Sequence, residues 1–227
     1  MSDTSVPQDL KRRLASAYDA IAPKYNETFT DKDDPVRLGY LNRLLDLLKS
    51  SKKEDAKVLE LGCGAGVPGT KRLLENTMPR VHVIGNDFSS TQIELARSNI
   101  GNYEKEGRLE LKQGDMMDLA FPEASLDAVV GFYSVIHLPR AEQTELVERI
   151  ATWLKPGGLF LANFSKEDMA NEVMPTWLGE EKGWMYWSGW GEEGSVKIVE
   201  KAGLEVIVRE ITDSAVDASF VWIIAKK

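Results

Sequence analysis

The chain of 227 residues is 43% hydrophobic and 28% charged, and it carries a formal net charge of −8. This length supports one sizeable hydrophobic core with small additions, and it argues against two full domains. The negative charge opposes attraction to a phosphate backbone or an anionic membrane, and no dense basic run offsets it. We therefore expect neither nucleic acid nor a membrane as a partner.

Two further features of the sequence point to a cytoplasmic protein. The longest nearly uncharged apolar run, residues 128–138, is too short to span a bilayer, and the polar first ten residues do not resemble a secretory signal. The single cysteine, Cys63, cannot form an internal disulfide, which fits a reducing compartment. The sequence therefore predicts a cytoplasmic location.

Two helices are predicted before the first strand, over residues 9–21 and 36–48, and they indicate an N-terminal helical cap covering residues 1–50. After this cap, short β-branched runs alternate with amphipathic helical stretches such as 90–100 and 140–154. The predicted strands, in chain order, are 57–61, 81–86, 109–113, 126–132, 158–164, 204–210 and 219–225.

This alternation predicts an α/β fold over residues 51–227, with a Rossmann-like, mostly parallel seven-stranded sheet and helices on both faces. Only about eight residues, 211–218, join the last two predicted strands. Because that length is too short for a helical crossover, we expect the two strands to form an antiparallel C-terminal hairpin.

The first predicted strand leads into a glycine-rich loop, Val58-Leu59-Glu60-Leu61-Gly62-Cys63-Gly64-Ala65-Gly66. Glycines at alternate positions let the backbone turn sharply and let a ligand approach the main chain. A dinucleotide-binding loop also needs glycine or alanine at position 67, which is Val67 here. The charge of Glu60 at the strand end would suit the cationic methionine end of S-adenosylmethionine better than a pyrophosphate. The loop therefore favours the methyl donor over a dinucleotide.

Two acidic residues follow the second and third predicted strands. Asp87 lies about 20 residues past the glycine loop, where a carboxylate can accept hydrogen bonds from both ribose hydroxyls. Its alternative role is to cap the next helix, although Ser89 or Ser90 can do that. Asp115 can accept from an adenine amino group while the main chain of Met116 donates to the ring. Both acids are expected at the carboxyl edge of the sheet, where ligands of open α/β folds bind.

These motifs resemble the class I S-adenosylmethionine-dependent methyltransferases, the broad group that includes ubiquinone and menaquinone biosynthesis enzymes and many natural-product enzymes. The resemblance covers residues 18–164 by motif, and it extends to the C-terminus through the antiparallel ending that the family shares. It implies a cofactor, S-adenosylmethionine, whose methionine part is flanked by Glu60, Gly62, Cys63 and Gly64. It also implies that Asp87 binds the ribose, that Phe88 packs on the adenine, and that Asp115 and Met116 contact the adenine edge.

Three tyrosines complete the donor site that the resemblance implies. In the family, an N-terminal helix with a tyrosine pair commonly closes over the carboxylate of the donor, and Tyr18 and Tyr25 match it. Alternatively, these two aromatics only pack on the core. Tyr133, which follows the fourth predicted strand, is also expected at the donor. It stands within Gly131-Phe132-Tyr133-Ser134 and not in the Asn/Asp-Pro-Pro-aromatic motif of enzymes that methylate nucleobases or glutamine.

Methyl transfer mainly requires that acceptor, methyl carbon and sulfur be held in line in a dry pocket. His137, just beyond the fourth predicted strand, is the candidate general base for a hydroxyl or thiol acceptor. Its alternative role is structural, at the mouth of the next helix. Cys63 could be proposed as a nucleophile. We favour the alternative, that it is a small residue lining the loop. The metal ligands of catechol-type enzymes are not recognisable, so no metal is expected.

Residues 165–191 interrupt the alternation and hold four of the six tryptophans. Rigid aromatic side chains with glycine hinges favour a lid over a flat or apolar acceptor. Alternatives are a cap fixed to the core and a surface for homodimer contact. The side chains expected to contact a small-molecule acceptor are Trp177, Trp184, Tyr186, Trp187 and Trp190.

The sequence therefore predicts a methyltransferase that acts on a small, apolar or aromatic molecule. Two other functions stay open. One is a nicotinamide-dependent oxidoreductase, which Val67 and the antiparallel ending disfavour. The other is a methyltransferase-like protein that serves as a binding or regulatory subunit, or that uses S-adenosylmethionine in a reaction other than methylation.

Overall fold

The computed structural model describes residues 6–29, 34–212 and 219–227. The helices in these ranges are α1 (Leu10–Phe29), α2 (Pro35–Ser50), α3 (Gly69–Leu74), α4 (Ser90–Ile100), α5 (Asn102–Lys105), α6 (Arg140–Trp153) and α7 (Gly191–Lys201). The strands are β1 (Asp55–Leu61), β2 (Arg80–Asp87), β3 (Leu109–Gln113), β4 (Leu126–Gly131), β5 (Leu154–Ser165), β6 (Asp168–Met174), β7 (Met185–Trp190), β8 (Glu205–Thr212) and β9 (Phe220–Lys226). Short 3₁₀ turns lie at Met116–Asp118, Val135–His137 and Trp177–Gly179.

Seven strands form one sheet in the order β3-β2-β1-β4-β5-β9-β8. Strands β1 to β5 pair in parallel, whereas β9 lies antiparallel between β5 and β8. The central strand β4 is buried along its whole length, as expected for a parallel strand covered on both faces. The parallel pairing of β1 to β5 confirms the predicted fold class. The antiparallel pairing of β8 with β9 confirms the predicted C-terminal hairpin.

Two hydrophobic clusters cover the sheet. In one, Leu146 and Val147 of α6 and Val199 of α7 pack with strand residues. In the other, Leu41 and Leu44 of α2 pack with the opposite face of the sheet. Helix α2 therefore belongs to the helical layer of the sheet. The predicted division of the chain at residue 50 stays a prediction.

Helix α1 is longer than its predicted range of 9–21, because it continues through Pro23 to Phe29. A proline inside a helix removes one backbone donor and favours a break. Here the residues beyond it have tertiary partners, since the rings of Tyr25 and Phe29 both contact Trp177. Packing outweighs the local preference for a helix end at the proline.

Strands β6 and β7 form a separate two-stranded antiparallel sheet inside the aromatic segment 165–191. The sequence did not predict this hairpin, because β6 is largely exposed and lacks an apolar alternation. Leu14 and Ile21 of α1 pack with Met185 and Tyr186 of β7 in a third hydrophobic cluster. The first helix and the hairpin therefore lie against each other. No helix in the described ranges is long and apolar enough to cross a membrane.

Candidate active site

The glycine loop after β1 is shaped by positive φ angles and by close contacts. Gly62 has φ +70°, and a Cβ at this position would lie 2.4 Å from the Cβ of Ser134. Gly66 has φ +76°, and a Cβ there would lie 2.5 Å from the Cδ1 of Ile100. Since both the conformation and the space exclude a side chain, these glycines hold the loop against the carboxyl end of β4 and against α4.

Asp87, at the end of β2, fixes the glycine loop from the other side. Its Oδ2 accepts the Gly64 N–H at 2.8 Å, and its Oδ1 accepts the Ser89 N–H at 2.9 Å. Burial raises the pKa of Asp87 to about 6, against the opposing effect of these two backbone donors. Ser89 Oγ caps α4 by accepting the Gln92 N–H, so Asp87 is not needed as the cap of that helix.

These elements surround a cavity of about 680 Å³, part of which is continuous with solvent. The predicted site residues that line the cavity are Tyr18, Tyr25, Gly62, Gly64, Asp87, Phe88, Asp115, Met116, Tyr133 and His137. Lining residues that the sequence did not predict are Lys11, Leu14, Gln92, Phe132, Ser134 and Leu138.

Asp115 closes one end of the cavity together with α1. Its Oδ1 accepts the Met117 N–H at 2.9 Å, and its Oδ2 accepts from Lys11 Nζ at 2.7 Å. Lys11 also donates to Glu142 of α6. One α1 side chain therefore joins the loop after β3 to α6 beside the cavity.

His137 and Tyr18 also line the cavity and contact each other. The Tyr18 hydroxyl lies 2.7 Å from His137 Nε2, and the Tyr186 carbonyl oxygen lies 2.8 Å from His137 Nδ1. Burial lowers the pKa of His137 to about 4, and the Tyr186 carbonyl opposes this shift. The imidazole is therefore neutral at physiological pH.

Tyr133 has φ +54°, an uncommon conformation for a residue other than glycine. Its N–H donates to Asn163 Oδ1 at 2.7 Å, and its ring contacts Phe220 edge-on at a centroid distance of 5.0 Å. The Arg37 guanidinium lies 5.1 Å from the centre of the Tyr133 ring. These contacts hold a strained residue at the carboxyl end of β4, where the cavity begins.

Comparison with known proteins finds methyltransferases that resemble this chain in sequence and in fold. A model described as a methyltransferase domain matches residues 58–158, which span the glycine loop, Asp87, Asp115 and His137. The sequence is 33% identical over 153 residues to a carboxy-S-adenosyl-L-methionine synthase of Actinobacillus pleuropneumoniae serotype 5b, covering 65% of this chain and 61% of that protein. It is 34% identical over 108 residues to a sterol 24-C-methyltransferase of Neurospora crassa, covering 48% of this chain and 27% of that protein.

A crystal structure of magnesium protoporphyrin IX methyltransferase from Synechocystis PCC 6803 with bound SAH has the same fold. Its TM-score is 0.70 at 15% identity, and the superposition covers 96% of this chain and 100% of that chain. Residues 58–158 therefore match the methyltransferase-domain family, and the chain has the fold of S-adenosylmethionine-dependent methyltransferases. It spans less than two thirds of the two curated relatives described above.

A buried amide beside the cavity fits the methyl donor of the proteins that this chain resembles. Gln92 is 1% exposed, and its Oε1 accepts from Asn26 Nδ2 at 3.0 Å. The residue lines the cavity, and its buried Nε2 has no hydrogen-bond partner within the described part of the chain. Because buried donors are normally paired, this nitrogen fits a ligand that carries acceptor oxygens, as S-adenosylmethionine does.

Two predicted donor-site residues do not line the cavity. Glu60 is 3% exposed, and its Oε2 accepts from Thr70 Oγ1 at 2.6 Å. Cys63 is also buried, and its N–H donates to the Asn86 carbonyl at 2.9 Å. Burial raises the pKa of the Cys63 thiol well above its usual value, which favours its interpretation as a small residue of the loop over that of a nucleophile.

The aromatic side chains of residues 165–191 do not line the cavity. Two of them contact residues that do. Trp177 contacts the rings of Tyr18 and Tyr25, and Trp187 contacts the imidazole of His137. The other three have different partners. The Trp184 ring lies under the Arg13 guanidinium, the Tyr186 hydroxyl donates to Asn171 Oδ1, and the Trp190 indole N–H donates to the Arg140 carbonyl.

Some of the lining residues that the sequence analysis missed carry a detectable signal. Lys11, Leu14, Tyr18 and Tyr25 recur at spacings of three, four and seven residues, which places them on one face of a helix. The tyrosine pair is only part of this helix face. Gln92 carries no such signal, because its importance depends on an unpaired nitrogen that only the structure reveals. No group of three or more potential metal ligands lies among the residues that the structure describes.

Proposed function

We propose that the protein transfers a methyl group from S-adenosylmethionine to a small, largely apolar molecule. The observation that carries this proposal is a single cavity with the two kinds of lining that such a reaction needs. The glycine loop, Asp87 and Asp115 form one part of it, while Tyr18 and His137 form another.

The donor half of the cavity supplies binding and orientation. When bound, S-adenosylmethionine supplies a methyl carbon already activated by a sulfonium, so no covalent protein nucleophile is needed. Gly62 and Gly64 admit the methionine part close to their main chain, and Asp87 accepts from the ribose hydroxyls. Asp115 contacts the adenine edge with Met116, and the charge of its carboxylate is balanced by Lys11.

The acceptor half is mainly apolar. Phe132, Leu138 and Leu14 exclude water from the space beside His137, which favours displacement at carbon over hydrolysis. Trp177 and Trp187 border this region and stay candidates for acceptor contact. The sterol methyltransferase among the relatives is named for an apolar substrate, in keeping with this interpretation.

Isothermal titration calorimetry with S-adenosylmethionine, its demethylated product and NAD tests the proposal. We expect the first two to bind and NAD not to bind. Asp87→Ala should weaken donor binding by roughly 1.5–3 kcal/mol, because hydrogen bonds to a charged group are lost. Glu123→Ala, at an exposed position outside the cavity, is the control and should bind normally. Binding of NAD without a response to either form of the donor would overturn the proposal.

A further inference from the structure

Three groups form a continuous hydrogen-bond chain from the cavity into the hairpin. They are the Tyr18 hydroxyl, the His137 imidazole and the Tyr186 main-chain carbonyl, at distances of 2.7 Å and 2.8 Å. A carbonyl oxygen can only accept, so His137 Nδ1 must carry the ring proton. Nε2 of the neutral ring is then an acceptor, and the Tyr18 hydroxyl donates to it.

This tautomer determines which side chain can accept a proton directly from the methyl acceptor. The lone pair of His137 that a general base would use already receives the proton of Tyr18. A tyrosine hydroxyl has one donor and two acceptor lone pairs, so Tyr18 can donate to His137 and accept from a hydroxyl or thiol of the substrate at the same time. Both side chains line the same cavity.

We propose, on the basis of the function proposed above, that Tyr18 is the catalytic residue that takes the proton of the acceptor, and that His137 acts through it. The acceptor atom bonds to the methyl carbon while the carbon–sulfur bond breaks onto sulfur. The acceptor proton moves to Tyr18 Oη as the phenolic proton moves to His137 Nε2. His137 becomes an imidazolium and later releases this proton to water.

The relay keeps the number of positive charges in the buried site constant. Before transfer the positive charge is on the sulfonium, and afterwards it is on His137. Because His137 is neutral at physiological pH, its ring does not repel the cationic donor during binding. Burial, which lowers the pKa of His137 to about 4, also makes the ring return its proton readily once transfer is complete.

The surrounding side chains hold this relay in place. The Tyr18 ring contacts Tyr25 edge-on at a centroid distance of 5.5 Å, and His137 contacts Trp187 at 6.2 Å. Tyr186, whose carbonyl fixes the tautomer, is 0% exposed. The relay therefore joins α1 to β7 through a ring that lies between them.

Nitrogen NMR tests the tautomer without an acceptor. The chain has two histidines, and His82→Gln leaves a single imidazole while changing a residue on β2 that does not line the cavity. In the ¹⁵N-labelled protein we expect a protonated Nδ1 and an unprotonated Nε2. Tyr18→Phe should shift the Nε2 signal and leave the Nδ1 signal nearly unchanged. A protonated Nε2, or an Nε2 signal unaffected by Tyr18→Phe, would overturn the proposal.

Kinetics test the role of the relay in proton transfer. The probes are a panel of simple phenols with labelled S-adenosylmethionine, and the thiol analogue of the phenol that is methylated fastest. Tyr18→Phe and His137→Gln should each lower the rate with the phenol by at least about 100-fold, because a general base typically contributes 10²- to 10⁴-fold. The double variant should lose little more than either single variant. The thiol, which ionises more readily, should lose less than about tenfold.

Equal losses with phenol and thiol, or additive losses in the double variant, would assign the two residues to packing and overturn the relay. A protein that binds the demethylated donor in calorimetry yet methylates no phenol or thiol would also overturn it. Failure to bind the donor would instead count against the proposed function. The two failures are therefore distinguishable.

Discussion

The Gln92 carboxamide has a partner for its oxygen and, within the described ranges, none for its nitrogen. A buried donor left unpaired costs about 1–3 kcal/mol. We expect the bound methyl donor to satisfy this nitrogen. Gln92→Glu keeps the oxygen that accepts from Asn26, but it removes the N–H donor and adds negative charge near Asp87.

Gln92→Glu should therefore weaken binding of the demethylated donor by about 1–3 kcal/mol, measured by calorimetry. Glu94→Gln, an exposed position on the same helix, is the matched control and should bind as the unmodified protein does. Unchanged affinity in Gln92→Glu would show that the nitrogen does not contact the donor.

Glu60 allows a prediction about stability. Burial raises its pKa to about 7, although Thr70 and Arg37 lower it, so the folded protein binds this proton more tightly than the unfolded chain does. Its contribution to stability is then greatest at low pH and is lost as the pH rises from about 4.5 to 7. Glu60→Gln should raise the free energy of unfolding by up to about 3 kcal/mol at pH 8, with little change at pH 4.

Urea unfolding of both proteins at the two pH values measures this difference. A gain in stability that is the same at pH 4 and pH 8 would contradict a buried, titrating Glu60. Thr70 serves as the check on the hydrogen bond, because Thr70→Val removes the donor that now supports the carboxylate. That variant should be destabilised more at pH 8 than at pH 4.

Residues in sequence motifs were easier to predict than residues that depend on packing. Asp87 and Asp115 follow strands directly, so their position at the edge of the sheet follows from the topology. Glu60 shares that strand-end position, yet its side chain turns toward Thr70 and does not line the cavity. A sequence indicates the end of the strand at which a side chain lies, but it does not indicate which neighbour that side chain contacts.

At the scale of elements, one carboxylate of α1, that of Asp19, binds the N-terminus of α4. Asp19 accepts the Ser89 Oγ–H at 2.6 Å and the Thr91 N–H at 3.0 Å, at the N-terminus of α4. Asp19→Ala should lower the free energy of unfolding by about 1–2 kcal/mol, because donors at a helix start lose their acceptor. Asp19→Asn keeps one acceptor oxygen and should lose less.

Hydrogen exchange shows where the loss in Asp19→Ala occurs. Amides of α1 should exchange faster in this variant, while those of the central strand β4 should change little. Equal acceleration in α1 and β4 would indicate that Asp19 stabilises the whole fold, and would contradict a local role in holding α1.

Strands and helices with a clear apolar pattern in the sequence were predicted well. Elements whose bounds depend on contacts with distant residues were not. β4 is a continuous apolar run, and its position in the sheet follows from that. The end of α1 depends on Trp177, which lies about 150 residues away in the sequence, so no local pattern marks it. The hairpin β6-β7 was missed for the same reason, because its packing partner is α1.

For the molecule as a whole, the net charge of −8 predicts weak interaction with polyanions. We expect no retention on DNA or RNA columns at physiological ionic strength, and no inhibition of donor binding by added nucleic acid. Tight retention that falls steeply with salt would contradict this expectation and the proposal of a small acceptor. A basic protein of similar size serves as the positive control for the column.

The third hydrophobic cluster gives the two halves of the cavity different freedom to change. The donor half is built on the sheet, whereas residues 10–21 of α1 and 184–186 of the hairpin share a small core of their own. A larger side chain on either segment would displace the other, so an altered acceptor pocket requires compensating changes in both. The two segments must therefore change together in evolution, and only changes that spare Lys11 keep its ion pair with Asp115 in the donor half.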